Sequence, residues 1–392
     1  MNNDPVVHYA GYDQGPTLVI KPSNSRSSAL KGLLAITGIL VALMLGLLLL
    51  VLIGLETGVA ALLIGMVAAT LPVPVYVMLL LWIDRYESEP LWMLATTFFW
   101  GALIAVFIAF IVNTTSSILV AVATDSMSAA EAFGAIISAP VVEESAKALV
   151  LFILFFWRKD EFDGIVDGIV YAGMVGLGFA MTENIQYYGK ALVEGGGAGL
   201  TGTFILRGAM APFSHPLFTS MTGIGLGWAR QSESQAIKFT MPVLGLLLAM
   251  FTHALWNASA VLFGGLGFLL VYFFIMVPIF IATLVTIIFA LRREGRVLRE
   301  HLLCDFQRGL FSQEEYNRLC SIRGRMGASF NALTSGGLGA WRARRQFNQL
   351  ASELAFHRSR VARGLLSSEQ AAEREAGYVQ LLRELRRRLG AL

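Results

Sequence analysis

The sequence predicts an all-α, polytopic membrane protein with about eight transmembrane helices and a C-terminal helical tail. Apolar residues make up 56% of the 392 residues and charged residues only 15%, against about 25% charged in a typical soluble domain. Most of the charge lies before Lys31, in short loops, or after Leu291. Apolar runs of about 20 residues recur between those two points, and runs of that length are typical of membrane spans.

These runs divide the chain into three parts. Residues 1–30 are polar, which predicts a disordered cytoplasmic N-terminus and not a signal peptide. Residues 31–291 form the predicted transmembrane domain, and residues 292–392 form the predicted cytoplasmic tail, with amphipathic helices over 292–322, 341–362 and 367–390. The predicted spans are 31–53, 59–83, 91–122, 129–157, 164–189, 203–229, 239–262 and 268–291.

Lysine and arginine set the predicted orientation. One set of span ends carries Lys21, Arg26, Lys31, Arg85, Arg158, Lys159, Arg230, Lys238, Arg292 and Arg293, and the opposite set carries Lys190 and Arg207. The positive-inside rule puts the first set, and with it both termini, in the cytoplasm. The same rule and attraction to anionic lipid explain the arginines beside the membrane, so we expect a plasma-membrane protein in contact with lipid and no nucleic-acid binding.

The tail contains a weak repeat and no catalytic motif. Arg308-Gly309-Leu310-Phe311-Ser312 is followed by Glu315, and Arg363-Gly364-Leu365-Leu366-Ser367 by Gln370. In each copy Gly can end one helix, and Ser with Glu or Gln can cap the next. Two ordinary helix turns explain the repeat equally well. The tail is expected to dock an unknown cytoplasmic partner or to regulate, and to be dispensable for chemistry.

The fourth predicted span carries two adjacent carboxylates, Glu143 and Glu144, after Pro140. Charge at mid-bilayer costs about 2.5–3.5 kcal/mol on insertion scales, so each charged group needs a reason. Lys147 lies four and three residues further on and can reach either carboxylate. One cation leaves one carboxylate free for chemistry or for a metal. A buried ion pair that holds helices together is the structural alternative.

The fifth and sixth spans carry three further ionisable residues. Glu183 follows Gly173, Gly176 and Gly178, which would let a neighbouring helix approach closely. His215 stands between Pro212 and Pro216, and broken helices at membrane depth occur where the backbone lines a cavity or is buried in protein. Arg207, near the outer face, could simply extend to the interface.

His253 and Asn257 in the seventh span are four residues apart and share one helix face. Both can donate hydrogen bonds to one oxygen, which suits an oxyanion site, and His253 could also bind a metal. Glu143, His215 and His253 each lie about fourteen residues from their cytoplasmic helix end, near mid-bilayer at about 1.5 Å per residue. We therefore expect them to converge on one cavity, with Glu183 somewhat nearer the outer face.

Together, these motifs resemble the PrsW family of intramembrane proteases. The matching patterns are Glu143-Glu144-x-x-Lys147, Phe179-x-x-x-Glu183-Asn184, His215, His253-x-x-x-Asn257 and the loop Asp84-Arg85-Tyr86-Glu87-Ser88-Glu89-Pro90. The resemblance covers about residues 70–290. PrsW is similar in turn to the CAAX prenyl endopeptidases, which place a His where this chain has Glu183, and to the Aph subunit of gamma-secretase, a scaffold.

The resemblance implies an endopeptidase that cleaves single-span membrane proteins, such as anti-sigma factors, in bacteria. Glu143 or Glu144 would activate water, with the other paired to Lys147, and we favour Glu143 as the base. His215 and Glu183 would position the water or bind a metal, and His253 with Asn257 would stabilise the oxyanion. Metal-free water activation is the expectation, and zinc held by residues among Glu144, Glu183, His215 and His253 is the alternative.

Two other functions fit the same residues. A proton-coupled transporter also uses chains of acids and histidines across the membrane. A non-catalytic scaffold like Aph would use the fold without proteolysis. Cleavage of a single-span protein by the purified chain distinguishes the protease from both.

Overall fold

The computed structural model describes residues 25–364 and 368–390, with side chains over 32–364 and 371–389. The predicted disordered N-terminus lies outside the described residues up to residue 24, whereas residues 25–30 already form the start of the first helix. Ser367 and the side chain of Gln370, which the second predicted cap needs, also lie outside the described part.

The described residues form α-helices and four short π-helical segments, with no strand among them. The α-helices are α1 (Ser25–Thr57), α2 (Val59–Thr70), α3 (Val73–Ile83), α4 (Leu91–Phe99), α5 (Val106–Thr124), α6 (Met127–Phe133), α7 (Ala139–Trp157), α8 (Ile165–Phe204), α9 (Ser214–Gln231), α10 (Gln235–Leu262), α11 (Gly264–Val271), α12 (Val277–His301), α13 (Leu303–Gln307), α14 (Gln313–Leu319), α15 (Ile322–Ala362) and α16 (Ser368–Gly390). The π-helical segments are Trp100–Ala105, Gly134–Ser138, Ile205–Met210 and Tyr272–Met276.

The all-α, polytopic membrane class is confirmed. Six stretches of the described chain are helical, long and apolar enough to cross a membrane: Gly32–Thr57, Val59–Ile83, Leu91–Thr124, Ile165–Gln231, Gln235–Leu262 and Gly264–His301. The predicted fifth and sixth spans fall within the one stretch Ile165–Gln231. The predicted fourth span is not among the six, since α7 carries three charged side chains. The number eight therefore stays a prediction.

The chain divides at Met44 into two units. In the first unit, the described part of α1 exposes apolar side chains such as Leu33 and Ile36. The second unit, Leu45–Leu392, has α8 and α9 at its buried centre. Large apolar side chains on its outer helices, such as Val122 and Phe239, are exposed, which suits a surface that faces lipid.

Glycine lets α8 and α9 pack backbone against backbone. A Cβ on Gly168 would lie 2.1 Å from the carbonyl oxygen of Gly223, and a Cβ on Gly223 would lie 2.1 Å from the carbonyl oxygen of Gly168. Nearer the site, a Cβ on Gly176 would lie 2.7 Å from the backbone nitrogen of Pro216. Any other residue at these positions would separate the helices.

The C-terminal segment, residues 292–392, shares a hydrophobic core with the helices before it. Leu298, Phe311, Phe347 and Leu354 belong to the same buried cluster as Tyr171 of α8. Its first predicted helix, 292–322, is instead the end of α12 followed by α13 and α14. The chain turns at Gly309, whose φ is 78°, and Ser312 with Glu315 forms the predicted capping box. The domain boundary at residue 292 stays a prediction.

One arginine ties this C-terminal segment to two loops. Arg360 of α15 donates to Glu87 Oε1 at 2.5 Å and lies 3.8 Å from Asp163 Oδ2. Arg363 donates to the same Asp163 oxygen at 2.7 Å. The loop before α4, the loop before α8 and the end of α15 therefore lie together at one end of the helix bundle.

Candidate functional site

The ionisable residues predicted from the sequence meet in one buried cluster. They come from four consecutive helical segments, α7 to α10, although they are far apart in the chain. We call this group the polar centre: it consists of Glu143, Glu144, Lys147, Glu183, His215 and His253.

The start of α7 follows an irregular stretch of helix. The π-helical segment Gly134–Ser138 runs directly into α7, and Pro140 lies in the first turn of α7. A π-helical turn often marks a functional position in a helix. Because the helix is continuous across this join, Pro140 has no N–H to donate to the preceding turn and removes one bond from the ladder. The helix nevertheless continues, and both glutamates lie one turn further on.

His215 is presented by a true break in the chain. The π-helical segment Ile205–Met210 ends in a turn at residues 211–213, and α9 begins at Ser214. The break therefore includes Pro212 and not Pro216. Pro216 lies in the first turn of α9, where a missing N–H costs no intrahelical bond. His215 is consequently one residue inside a helix N-terminus and is buried.

Glu144 is fully engaged by its neighbours. The Lys147 ammonium donates to its Oε1 at 2.8 Å, and the Thr219 hydroxyl donates to its Oε2 at 2.9 Å. The Nδ1 atom of His253 lies 3.1 Å from Oε1. A carboxylate oxygen can only accept, so Nδ1 must donate to Oε1, and the proton of a neutral His253 is therefore on Nδ1.

Glu143 has much weaker contacts. Its Oε2 lies 3.6 Å from Lys147 Nζ and 4.0 Å from His253 Nε2, and although buried it has no hydrogen-bond partner among the described residues. Its Oε1 is 3.5 Å from the amide nitrogen of Asn113. Burying a carboxylate oxygen without a partner is costly, and such an atom is available for water, metal or substrate.

His215 is held between a cation and an anion. Its Nδ1 lies 3.0 Å from Lys147 Nζ, and its Nε2 lies 2.9 Å from Glu183 Oε2. Because the ammonium can only donate, a neutral His215 accepts on Nδ1 and donates from Nε2. Glu183 therefore lies beside the histidine, and Arg207 forms a salt bridge with it.

Asn257 is placed differently from the rest. Its amide donates to the backbone carbonyl of Ala135 at 2.8 Å, which joins α10 to the π-helical segment before α7. It therefore lies one turn from His253 and close to the start of α7. A function as oxyanion donor stays a prediction.

Three neutral polar residues also belong to the site but were missed from the sequence. Thr219 contacts Glu144, as described above. Asn113 faces Glu143, and its Oδ1 accepts from Ser138 Oγ at 2.7 Å. The run Asn113-Thr114-Thr115-Ser116-Ser117 inside an apolar span was the available signal, since polar residues in spans occur where helices bond to each other.

A metal ion fits part of the polar centre. Glu143, His215 and His253 each offer one ligand atom, and these atoms lie within 4.8 Å of one another. The unpartnered Oε2 of Glu143 and the unprotonated Nε2 of His253 have free lone pairs for an ion. His215 would join them only by exchanging its Nδ1 contact with Lys147 or its Nε2 contact with Glu183 for the ion. Glu144 would then orient His253 through Nδ1, an arrangement common behind metal-bound histidines. Glu144 and Glu183, named as ligand candidates from the sequence, lie beside the histidines as hydrogen-bond partners.

The fold and this cluster define a class, that of membrane-embedded hydrolases built on helices. A family model described as "PrsW family intramembrane metalloprotease" matches residues 89–283, which include every residue of the polar centre. The chain belongs to the PrsW family and is an intramembrane protease of that type.

Individual relatives agree. "Protease PrsW" of Geobacillus kaustophilus is 34% identical over 174 residues, which is 44% of this chain and 69% of the relative. "Protease PrsW" of Oceanobacillus iheyensis is 34% identical over 170 residues, 43% of this chain and 71% of the relative. "Protease PrsW" of Bacillus subtilis is 33% identical over 154 residues, which is 39% of this chain and 63% of the relative. No solved structure matches this chain.

Proposed function

We propose that the protein hydrolyses a peptide bond in a single-span membrane protein and that Glu143 is the carboxylate that activates water. The contrast between the two glutamates carries the proposal. Glu144 is occupied by Lys147, Thr219 and His253, whereas Glu143 keeps a buried oxygen that has no hydrogen-bond partner in the part of the chain that the structure describes. A general base must have a free lone pair within reach of the water proton.

The remaining residues hold this arrangement in place. Lys147 and Glu144 neutralise each other at 2.8 Å and fix the ring of His253. His215, Glu183 and Arg207 form a hydrogen-bonded chain beside Lys147 and would orient the water or an ion. Asn257 has a second N–H besides the one given to Ala135, and this N–H would stabilise the oxyanion. His253 would join it as a donor only in the imidazolium form, because Nε2 of the neutral ring carries no proton.

The proposed reaction needs only proton transfers and one addition. Glu143 takes a proton from water as the oxygen adds to the scissile carbonyl, and the carbonyl oxygen becomes an oxyanion. Glu143 then gives the proton to the leaving nitrogen as the C–N bond breaks. Positioned acid–base groups contribute about 10²- to 10⁴-fold, and one oxyanion donor about 10²- to 10³-fold.

The metal alternative uses the same residues. Glu143, His215 and His253 would supply a Glu-His-His donor set of the kind that zinc takes in catalytic sites, once a nitrogen of His215 is released from Lys147 or Glu183. An ion held there would lower the pKa of a bound water and polarise the carbonyl. The description of the family as metalloproteases supports this alternative over the metal-free expectation from the sequence.

The test is cleavage by the purified protein in lipid vesicles of a panel of single-span proteins. Wild type should cut at least one of them, Glu143→Gln should not, and Glu131→Gln, at an exposed position of α6, should behave as wild type. Treatment with a chelator, measurement of bound metal and addition of zinc decide the metal question. Wild-type cleavage equal to that of Glu143→Gln would refute the proposed mechanism.

We also propose that the natural substrates include anti-sigma factors and that the protein lies in the plasma membrane with both termini in the cytoplasm. The charge asymmetry supports this orientation. The shared location of residues 84–90, residues 158–164 and α15 at one end of the bundle agrees with it. Reporter fusions after Leu291 and after the chain end should both score as cytoplasmic, and external scores would reverse the topology.

A further inference from the structure

An apolar cavity of about 120 Å³ lies beside the polar centre. It is enclosed by the broken segment before α9, the first turns of α9, the end of α10 and the π-helical start of α12. Its walls are aromatic and aliphatic, and no charged side chain lines it among the described residues. Met210 lines it and is 38% exposed, so one wall reaches the outer surface of the helix bundle.

One aromatic ring separates this cavity from the polar centre. Phe218 lines the cavity, and the same ring stacks on the imidazole of His253 with centroids 5.0 Å apart and planes inclined by 20°. Trp256, also in the wall, has its ring 6.5 Å from that of Phe218. The cavity is therefore next to the imidazole of His253, which faces Glu143.

The shape of the cavity is fixed by contacts across its walls. The hydroxyl of Tyr272 donates to the carbonyl oxygen of Met210 at 2.9 Å, which ties the broken segment to the start of α12. The rings of Phe213 and Phe280 stack with centroids 6.0 Å apart. These contacts join both sides of the cavity, so it exists before any ligand arrives.

We propose that this cavity is a specificity subsite that receives one apolar side chain, of leucine to phenylalanine size, from a residue next to the scissile bond. The inference rests on the proposed function and specifies which substrate side chain the protease prefers beside the scissile bond. An engineered apolar cavity of about 150 Å³ binds benzene, so a cavity of this size holds an isobutyl or phenyl group. A substrate that reaches Glu143 passes Phe218 and places a neighbouring side chain over the cavity.

The test measures kcat/KM for single-span reporter proteins that differ at one residue near the mapped cut, with Ala, Leu, Phe or Trp there. Wild type should prefer Leu or Phe over Ala by about 10- to 200-fold at one position. Val277→Trp, which fills the cavity, should bring that ratio close to one. Val285→Trp, at an exposed position on the same helix, should keep the wild-type ratio.

A second variant protects the test from misfolding. Phe280→Ala enlarges the cavity and should raise the relative cleavage of the Trp reporter. Equal cleavage of all four reporters by wild type, or an unchanged ratio in both cavity variants, would overturn the subsite while leaving the protease intact. Wild-type cleavage of no reporter would overturn the proposed function and the subsite together.

Discussion

Lys147 is the buried cation on which the polar centre depends. Its ammonium contacts Glu144 at 2.8 Å and His215 at 3.0 Å, and it lies 4.0 Å from the centre of the Phe179 ring. The side chain is fully buried. A buried charge costs several kcal/mol unless it is paired and hydrogen-bonded, so the three contacts are what allow a lysine at this position.

The two glutamates should respond differently to the same change. Glu143→Gln should abolish cleavage with unfolding stability equal or higher, because its Oε2 has no hydrogen-bond partner to lose among the described residues. Glu144→Gln should abolish cleavage and destabilise the fold by up to about 3–5 kcal/mol, because it removes the carboxylate that is hydrogen-bonded to Lys147 and leaves only Glu143, at 3.6 Å. Thermal unfolding in detergent and the cleavage assay measure the two effects. Equal stability losses in the two variants would contradict this assignment.

Two threonines on α9 offer a matched pair. Thr219→Val removes the hydroxyl bond to the Glu144 carboxylate, and hydrogen bonds to charged groups contribute about 1.5–3 kcal/mol. Thr222 is as deeply buried, but its hydroxyl has no partner among the described residues. Thr222→Val should therefore be neutral or stabilising. Denaturant unfolding of both variants tests the difference, and similar losses in the two would argue against the hydrogen bond.

At the scale of helices, the glycine contact between α8 and α9 should tolerate no side chain. Gly223→Ala places a Cβ against the carbonyl oxygen of Gly168, and overpacking of this kind costs about 1–3 kcal/mol. Since α9 carries His215, cleavage should fall as well. Gly202→Ala is the control: its Cβ would meet nothing within 4 Å, and it should stabilise by up to about 1 kcal/mol. A Gly223→Ala variant with wild-type stability and activity would show that the helices can separate freely.

The attachment of α15 should depend on pH through Glu87. Burial raises the pKa of Glu87 well above its usual range, and Arg360 opposes this shift. A carboxyl whose folded pKa is raised costs stability as pH rises from its unfolded pKa through its folded pKa. Arg360→Ala should raise the pKa of Glu87 further, so the variant should be less stable at neutral pH and recover part of the loss in acid.

Arg323→Ala is the control for that experiment. Arg323 is exposed on the same helix and takes part in no salt bridge among the described residues. The Arg323→Ala variant should unfold like wild type at every pH. If Arg360→Ala lost as much stability at about pH 5 as at pH 8, the ion pair with Glu87 would not be the cause.

For the molecule as a whole, the sequence predicted the class and the residues of the polar centre because both have a large energetic signature. Charge inside an apolar span is so costly that Glu143, Glu144, Lys147, His215 and His253 stand out without any structure. Thr219 and Asn113 did not stand out, because a neutral polar side chain can bond within its own helix at little cost. Such residues are recognisable only once the helices are packed.

Other features depend on contacts between distant parts of the chain. Both glutamates are within helical reach of Lys147, so only the packing of Thr219 and His253 distinguishes Glu144 from Glu143. The core shared by α15 and α8 joins residues far apart in sequence. The hydrophobic pattern of a single helix shows which face is buried but not which helix packs against it. The cavity before α9 arises from the break at residues 211–213, which proline placement predicted only to within a few residues.

The close contact of α8 and α9 also determines which molecule has to change shape during turnover. An intact helix with its side chains is about 10–12 Å across, and the glycine backbones in contact leave no gap of that width between α8 and α9. The unwinding needed to expose a peptide bond therefore falls on the substrate. We expect reporters with Gly or Pro near the cut to turn over faster than all-Leu versions bound equally well. Equal turnover of the two would show that the protease opens instead.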